Sequence, residues 1–182
     1  SLQSSGYSYK KIPNWGMADH WSLSGSIYVS YVLYGINGFE MGNLVQAKVL
    51  VPGLLTSVML WGNYPMTQVY QHEEDAKHGD TTISMMLGIR GTFIFVQVLF
   101  AVAAVCFVLY FNHFYTIEMG YYFLLALGPV VLFFMVWFYK VWKDASQANF
   151  TYTMWLNFIS SLCLNGFFIY FWLATSHIGQ YF

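Results

Sequence analysis

The chain has 182 residues, of which 58% are hydrophobic and 8% charged, against about 25% charged in an ordinary soluble domain. A water-facing fold of this size cannot bury so much apolar surface, with 17 Phe, 15 Tyr and 7 Trp in it, so the bilayer is the expected solvent. Seven Lys and Arg against eight Asp and Glu leave a formal charge of -1, and without a basic field nucleic acid is not an expected partner.

The opening SLQSSGYSYKKIP begins at Ser1 and has neither the basic start nor the apolar core of a signal peptide, so the chain reads as a fragment or processed form. A first candidate span, 21–39, mixes Ser, Gly and Tyr with aliphatics, as in a helix that faces protein. A second, 44–70, is apolar from Val49 to Gly62 and then turns polar, with Pro52 and Pro65 as expected bends that free backbone carbonyls. The next stretch, 71–90, is expected as a loop and carries Glu73, Glu74, Asp75 and Asp80. Three uncharged runs follow at 91–111, 119–139 and 152–174. Each has about 20 residues, enough to cross roughly 30 Å as a helix. Asn157 and Asn165 inside the last run need partners on neighbouring helices or in a polar cavity. Cys106 and Cys163 sit in apolar runs and read as small buried hydrophobes. The expected fold is an all-α polytopic bundle of five transmembrane helices, forming a single membrane domain fragment.

Five spans put Lys10, Lys11, Lys77, Arg90, Lys140 and Lys143 on one side and only Lys48 near the other. Basic residues in short loops prefer the cytoplasm, which makes the 71–90 loop cytoplasmic and leaves the C-terminus outside. An integral protein of the cell or inner membrane is expected.

If the second helix continues through Pro65 to a stop at Gly79, then Tyr64, Gln68, Gln71 and Asp75 recur at spacings of four, three and four and share one face. Such a stripe of oxygen donors ending in carboxylates suits a hard cation such as Mg²⁺, with substrate phosphates completing its shell. A solvated acidic loop that merely ends a membrane helix fits the spacing as well.

The stretch YPMTQVYQHEEDAKHGDTTISMMLGIRGTF, from Tyr64 to Phe93, resembles the second acidic motif of the UbiA superfamily of intramembrane aromatic prenyltransferases. Asp75 and Gly79 match the second Asp and the Gly of D-x-x-x-D-x-x-x-G, and Asp80, Thr82 and Leu87-Gly88 match the tail that follows. YSYKKIP, from Tyr7 to Pro13, resembles the family's loop with a Tyr and a Lys for diphosphate binding. Gln71 stands where the family has its first Asp, and the first acidic motif, N-x-x-x-D-x-x-x-D, is absent. The resemblance covers roughly the C-terminal three fifths of a family member.

The resemblance implies transfer of a polyprenyl group from its diphosphate to an acceptor, typically aromatic, in lipid-quinone or related isoprenoid biosynthesis. It implies Asp75 and Glu74 as Mg²⁺ ligands and Gln71 as a neutral ligand or phosphate donor. Lys10, Lys11, Lys77 and Arg90 would contact phosphate, with Tyr64 and Gln68 lining the substrate site. Each has a structural competitor: Lys77 and Arg90 serve equally as positive-inside anchors, and His72 and His78 as solvated side chains. A transporter or channel component, or a non-catalytic remnant without the first motif, are the alternative functions. With the first acidic motif missing, the isolated 182-residue chain is expected to be inactive.

Overall fold

The computed structural model describes residues 47–79 and 81–175. The expected span at 21–39 lies outside them, as do Lys10, Lys11 and Asp80. The described chain is all-helical: α1 (Ala47–Gln68), a 3-10 turn (Val69–Gln71), α2 (His72–Lys77), α3 (Ile83–Phe114), α4 (Ile117–Lys143), a 3-10 turn (Ala145–Gln147) and α5 (Phe150–Thr175).

The helices α3, α4 and α5 have 32, 27 and 26 residues and are long and apolar enough to cross a membrane. Each contains one of the three uncharged runs. Their outer faces are apolar, with Leu125 75% and Leu132 68% exposed, an arrangement suited to lipid and unfavourable in water. The protein is therefore an all-helical membrane protein with three candidate spans among the described residues. Helix α1 has 22 residues but is not one of these three, because Asn63, Tyr64, Thr67 and Gln68 make its last turns polar.

α1 runs through both prolines. Pro52 lacks the N–H that would bond the Lys48 carbonyl one turn back, and the Tyr110 hydroxyl of α3 donates to that carbonyl instead, at 2.8 Å. The 71–90 stretch, expected as a loop, is mostly helical. Gly79, with φ 71°, ends α2 in the left-handed region that glycine favours. Thr82 then caps α3 by accepting from the Met85 N–H at 3.3 Å, so the helix starts well before the uncharged run. Inside α3, Gly88 (φ 68°, ψ 167°) breaks the helical backbone and kinks it.

The long helices alternate in direction. The last turns of α1 and α4 and the first turns of α3 and α5 share one end, the acidic end, where Tyr70 meets Phe150 edge-on at 5.4 Å. There the Trp137 Nε1–H also donates to the Gln147 carbonyl at 2.8 Å. One buried core lies toward this end and includes Met66, Phe93, Phe134, Trp137 and Leu156. A second lies toward the other end and includes Phe107, Phe111, Phe123 and Phe167. Interlocked aromatics hold both cores, with Phe93 edge-on to Trp137 at 4.7 Å and Phe111 edge-on to Phe167 at 5.4 Å. The α3 and α4 backbones approach closely at Gly120, where a Cβ would lie 3.2 Å from Val108 Cγ1 and 3.5 Å from its Cα.

Candidate functional site

The stripe expected from Tyr64 to Asp75 does not lie on one uninterrupted helix. The 3-10 turn at Val69–Gln71 comes between α1 and α2, and Gln71 leaves the helical region at φ -102°, ψ 1°. A 3-10 turn winds by about 120° per residue instead of about 100°, which rotates α2 relative to α1. Gln68 is buried and Gln71 exposed, while Tyr64 and Asp75 are half-buried and Glu74 and Lys77 exposed. The Gln68 Oε1 atom is buried with no donor among the described residues, a state that calls for an explanation in a native fold.

A polar chain fixes α2 against α3. His72 Nε2 lies 2.7 Å from Ser84 Oγ, and Ser84 is fully buried. The Thr92 hydroxyl donates to the Gly88 carbonyl at 2.9 Å and approaches Ser84 Oγ at 3.2 Å, so it occupies the gap that the Gly88 kink opens. Burial holds the His72 imidazole below its usual range, and the nearby Asp75 charge acts in the opposite direction. Sequence reasoning places His72 in solvent and passes over Ser84 and Thr92. The available signal is two small hydroxyl residues in an apolar run on either side of a glycine.

Arg90 points away from α2. Its Nη2 donates to the Trp142 carbonyl at 2.8 Å, and its guanidinium lies 5.3 Å from the Trp142 ring centroid.

Between the two cores is an apolar cavity of about 320 Å³ bounded by α1, α3, α4 and α5, with Phe107, Phe123 and Phe134 in its wall. Its polar lining comes from Thr56, Asn63, Gln97 and Ser160. The Asn63 Nδ2–H donates to Asn157 Oδ1 at 2.9 Å, giving Asn157 the interhelical partner its apolar surroundings demand. Asn165 bonds within its own helix, donating to Ser161 Oγ at 3.2 Å.

Among the described residues no three His, Cys, Asp or Glu side chains gather closely enough to hold a metal ion. Glu74 and Asp75 are adjacent carboxylates, one exposed and one half-buried, at the end of the apolar bundle. Consecutive residues on a helix point about 100° apart, so these two carboxylates do not form an all-protein cage, and any ion held there would keep most of its shell as water or phosphate oxygens. No family model, characterised protein or solved structure matches the chain.

Proposed function

We propose that the chain belongs to an intramembrane prenyltransferase resembling the UbiA superfamily, which moves a polyprenyl group from its diphosphate to an aromatic acceptor. What supports this reading is the course of α1, which lines the apolar cavity at Asn63 and delivers the chain to the acidic turn that resembles the family's second motif. Gln68, with its unpartnered buried oxygen, stands between the two, about 7.5 Å along the helix axis from Asn63. An apolar chamber joined by one helix to a carboxylate turn is the division of labour that an amphiphilic diphosphate needs.

Heterolysis of the allylic carbon–oxygen bond leaves a carbocation and a diphosphate. The acceptor's aromatic carbon then bonds to the cation and loses its proton. Asp75 and Glu74 would hold Mg²⁺ at the acidic turn, where it would supply positive charge to the departing diphosphate. Asp75 and Glu74 hold that charge at the membrane surface, Gln71 and Lys77 donate to phosphate oxygens, and Gln68 with Tyr64 accepts or orients polar groups at the cavity's edge. The bundle excludes water from the cation, and an aromatic face on the acidic side of the cavity, that of Phe134, stabilises it. Lys10 and Lys11 complete the phosphate contacts. The full bundle on this reading has five spans in this chain, at 21–39, α1, α3, α4 and α5, with the acidic end cytoplasmic. The test is Mg²⁺-dependent transfer by the full-length encoded protein in proteoliposomes, with a radiolabelled polyprenyl diphosphate and a panel of aromatic acceptors. Prenylated product supports the proposal, and its absence with every acceptor overturns it.

A further inference from the structure

At the acidic end of α4 the cations stand against aromatic rings. Arg90 is held to Trp142 through both the carbonyl and the ring, and Lys143 lies 4.5 Å from the Tyr139 ring centroid. Tyr139, Trp142 and Lys143, at spacings of three and four, share one helix face, and all three are exposed. The neighbouring carboxylate makes no ion pair with them among the described residues. Asp144 Oδ1 accepts from the Ser146 N–H at 3.0 Å, and Oδ2 accepts from the Ser146 hydroxyl at 2.7 Å and from Gln147 at 3.3 Å.

The anchor of Arg90 is one of the last carbonyls of α4, which lack a helical donor. A guanidinium has five N–H donors, so one bond to this carbonyl leaves the rest at the protein's edge, in a fixed orientation. The Trp142 indole N–H, for which no partner exists among the described residues, adds a donor on the same side. Below these groups the exposed face continues into the bilayer as Met135 and Leu132 on α4 and Ile94 and Val98 on α3. Gln97, which lines the inner cavity, lies 3.8 Å from Met135 Sδ and closes the floor between the two helices.

The geometry points to a binding site for the phosphate of an anionic glycerophospholipid, formed by Arg90, Trp142 and Lys143, with the acyl chains along the outer groove between α3 and α4. The occupant is a lipid because the cations sit at the end of two membrane-crossing helices and open onto an apolar groove, so a headgroup phosphate and its chains match both parts at once. A free phosphate would leave the groove unused. The inference is independent of the proposed enzymatic activity.

Native mass spectrometry of the full chain, released from phosphatidylcholine nanodiscs doped with phosphatidylglycerol, tests it. The wild type retains phosphatidylglycerol in preference to phosphatidylcholine. Arg90→Gln with Lys143→Gln lowers the apparent affinity about 25-fold, at roughly fivefold per cation near the surface. Trp142→Phe, which keeps a ring and removes the N–H, lowers it less, and Arg90→Lys falls between. Lys48→Gln at the opposite end leaves it unchanged. Equal retention of the two lipids by the wild type, an equal loss in Lys48→Gln, or displacement of the lipid by millimolar inorganic phosphate would each overturn the site. If the double variant does not fold by circular dichroism, Trp142→Phe and Arg90→Lys give the answer.

Discussion

The Tyr110 hydroxyl donates to the Lys48 carbonyl at 2.8 Å, the group that Pro52 leaves without its helical donor. Tyr110 is 7% exposed and Lys48 exposed, so Tyr110→Phe removes a part-buried hydrogen bond and is expected to cost about 0.5–1.5 kcal/mol. Pro52→Ala restores the missing N–H and should shrink that cost. Unfolding in mixed detergent, measured for both single variants and the double, checks the coupling. An equal cost of Tyr110→Phe in the wild-type and Pro52→Ala backgrounds would contradict it.

Gly88→Ala isolates backbone strain, because a Cβ there meets nothing within 4 Å while φ is +68°. With ψ at 167° the position lies in a region nearly restricted to glycine, and the substitution should destabilise by about 1–3 kcal/mol. Gly128→Ala, also in open space but within α4, should be neutral or stabilising by up to about 1 kcal/mol. Thermal unfolding of the two variants side by side separates conformational strain from packing.

The three long spans are legible because an uncharged run of about 20 residues has few fates other than crossing a bilayer. The helix stop expected at Gly79 is legible too, since Gly79 adopts the left-handed backbone that ends α2. What the residues alone do not reveal are departures from regular geometry: the 3-10 turn at Val69–Gln71, which divides the expected stripe, and the kink at Gly88. Both depend on contacts beyond one helical turn, since His72 meets Ser84 twelve positions later and Thr92 reaches back across the kink to Ser84. The orientation of Arg90 is equally hidden, because its partner Trp142 is 52 positions away. Hydrophobic periodicity carries no information about such pairs.

The Asp144 turn should report pH directly. Hydrogen bonds from the Ser146 hydroxyl first, then its backbone N–H, and then Gln147 hold the carboxyl below its usual value of 3.8. The carboxylate form is thus favoured in the folded turn: its stabilisation is present above about pH 3.8 and is lost as pH falls through the lowered value. Titration of the ¹³C-labelled side chain should show this, and Ser146→Ala should move the midpoint upward. An unchanged midpoint in Ser146→Ala would refute the assignment of the cause.

The proposed orientation follows from charge. Lys77, Arg90, Lys140 and Lys143 lie at the acidic end and Lys48 at the other, the bias on which the proposal of a cytoplasmic acidic end rests. In sealed cells an impermeant maleimide should label Thr116→Cys, in the exposed turn between α3 and α4, and should spare His78→Cys until the membrane is opened. Both variants are made with Cys106 and Cys163 replaced by Ala. The reverse pattern would invert the topology.

The central claim is that the acidic turn binds the leaving diphosphate through a divalent ion, and Asp75→Asn in the full-length protein tests it most directly. The substitution keeps size and removes the charge of a half-buried carboxylate, so Mg²⁺-dependent turnover should fall by about 10²-fold or more, the scale of losing one preorganised electrostatic contact. Glu118→Gln, an exposed carboxylate at the opposite end of the bundle, serves as the control and should turn over like the wild type. Equal turnover of wild type, Asp75→Asn and Glu118→Gln across a full Mg²⁺ titration, with all three correctly inserted, would contradict the account.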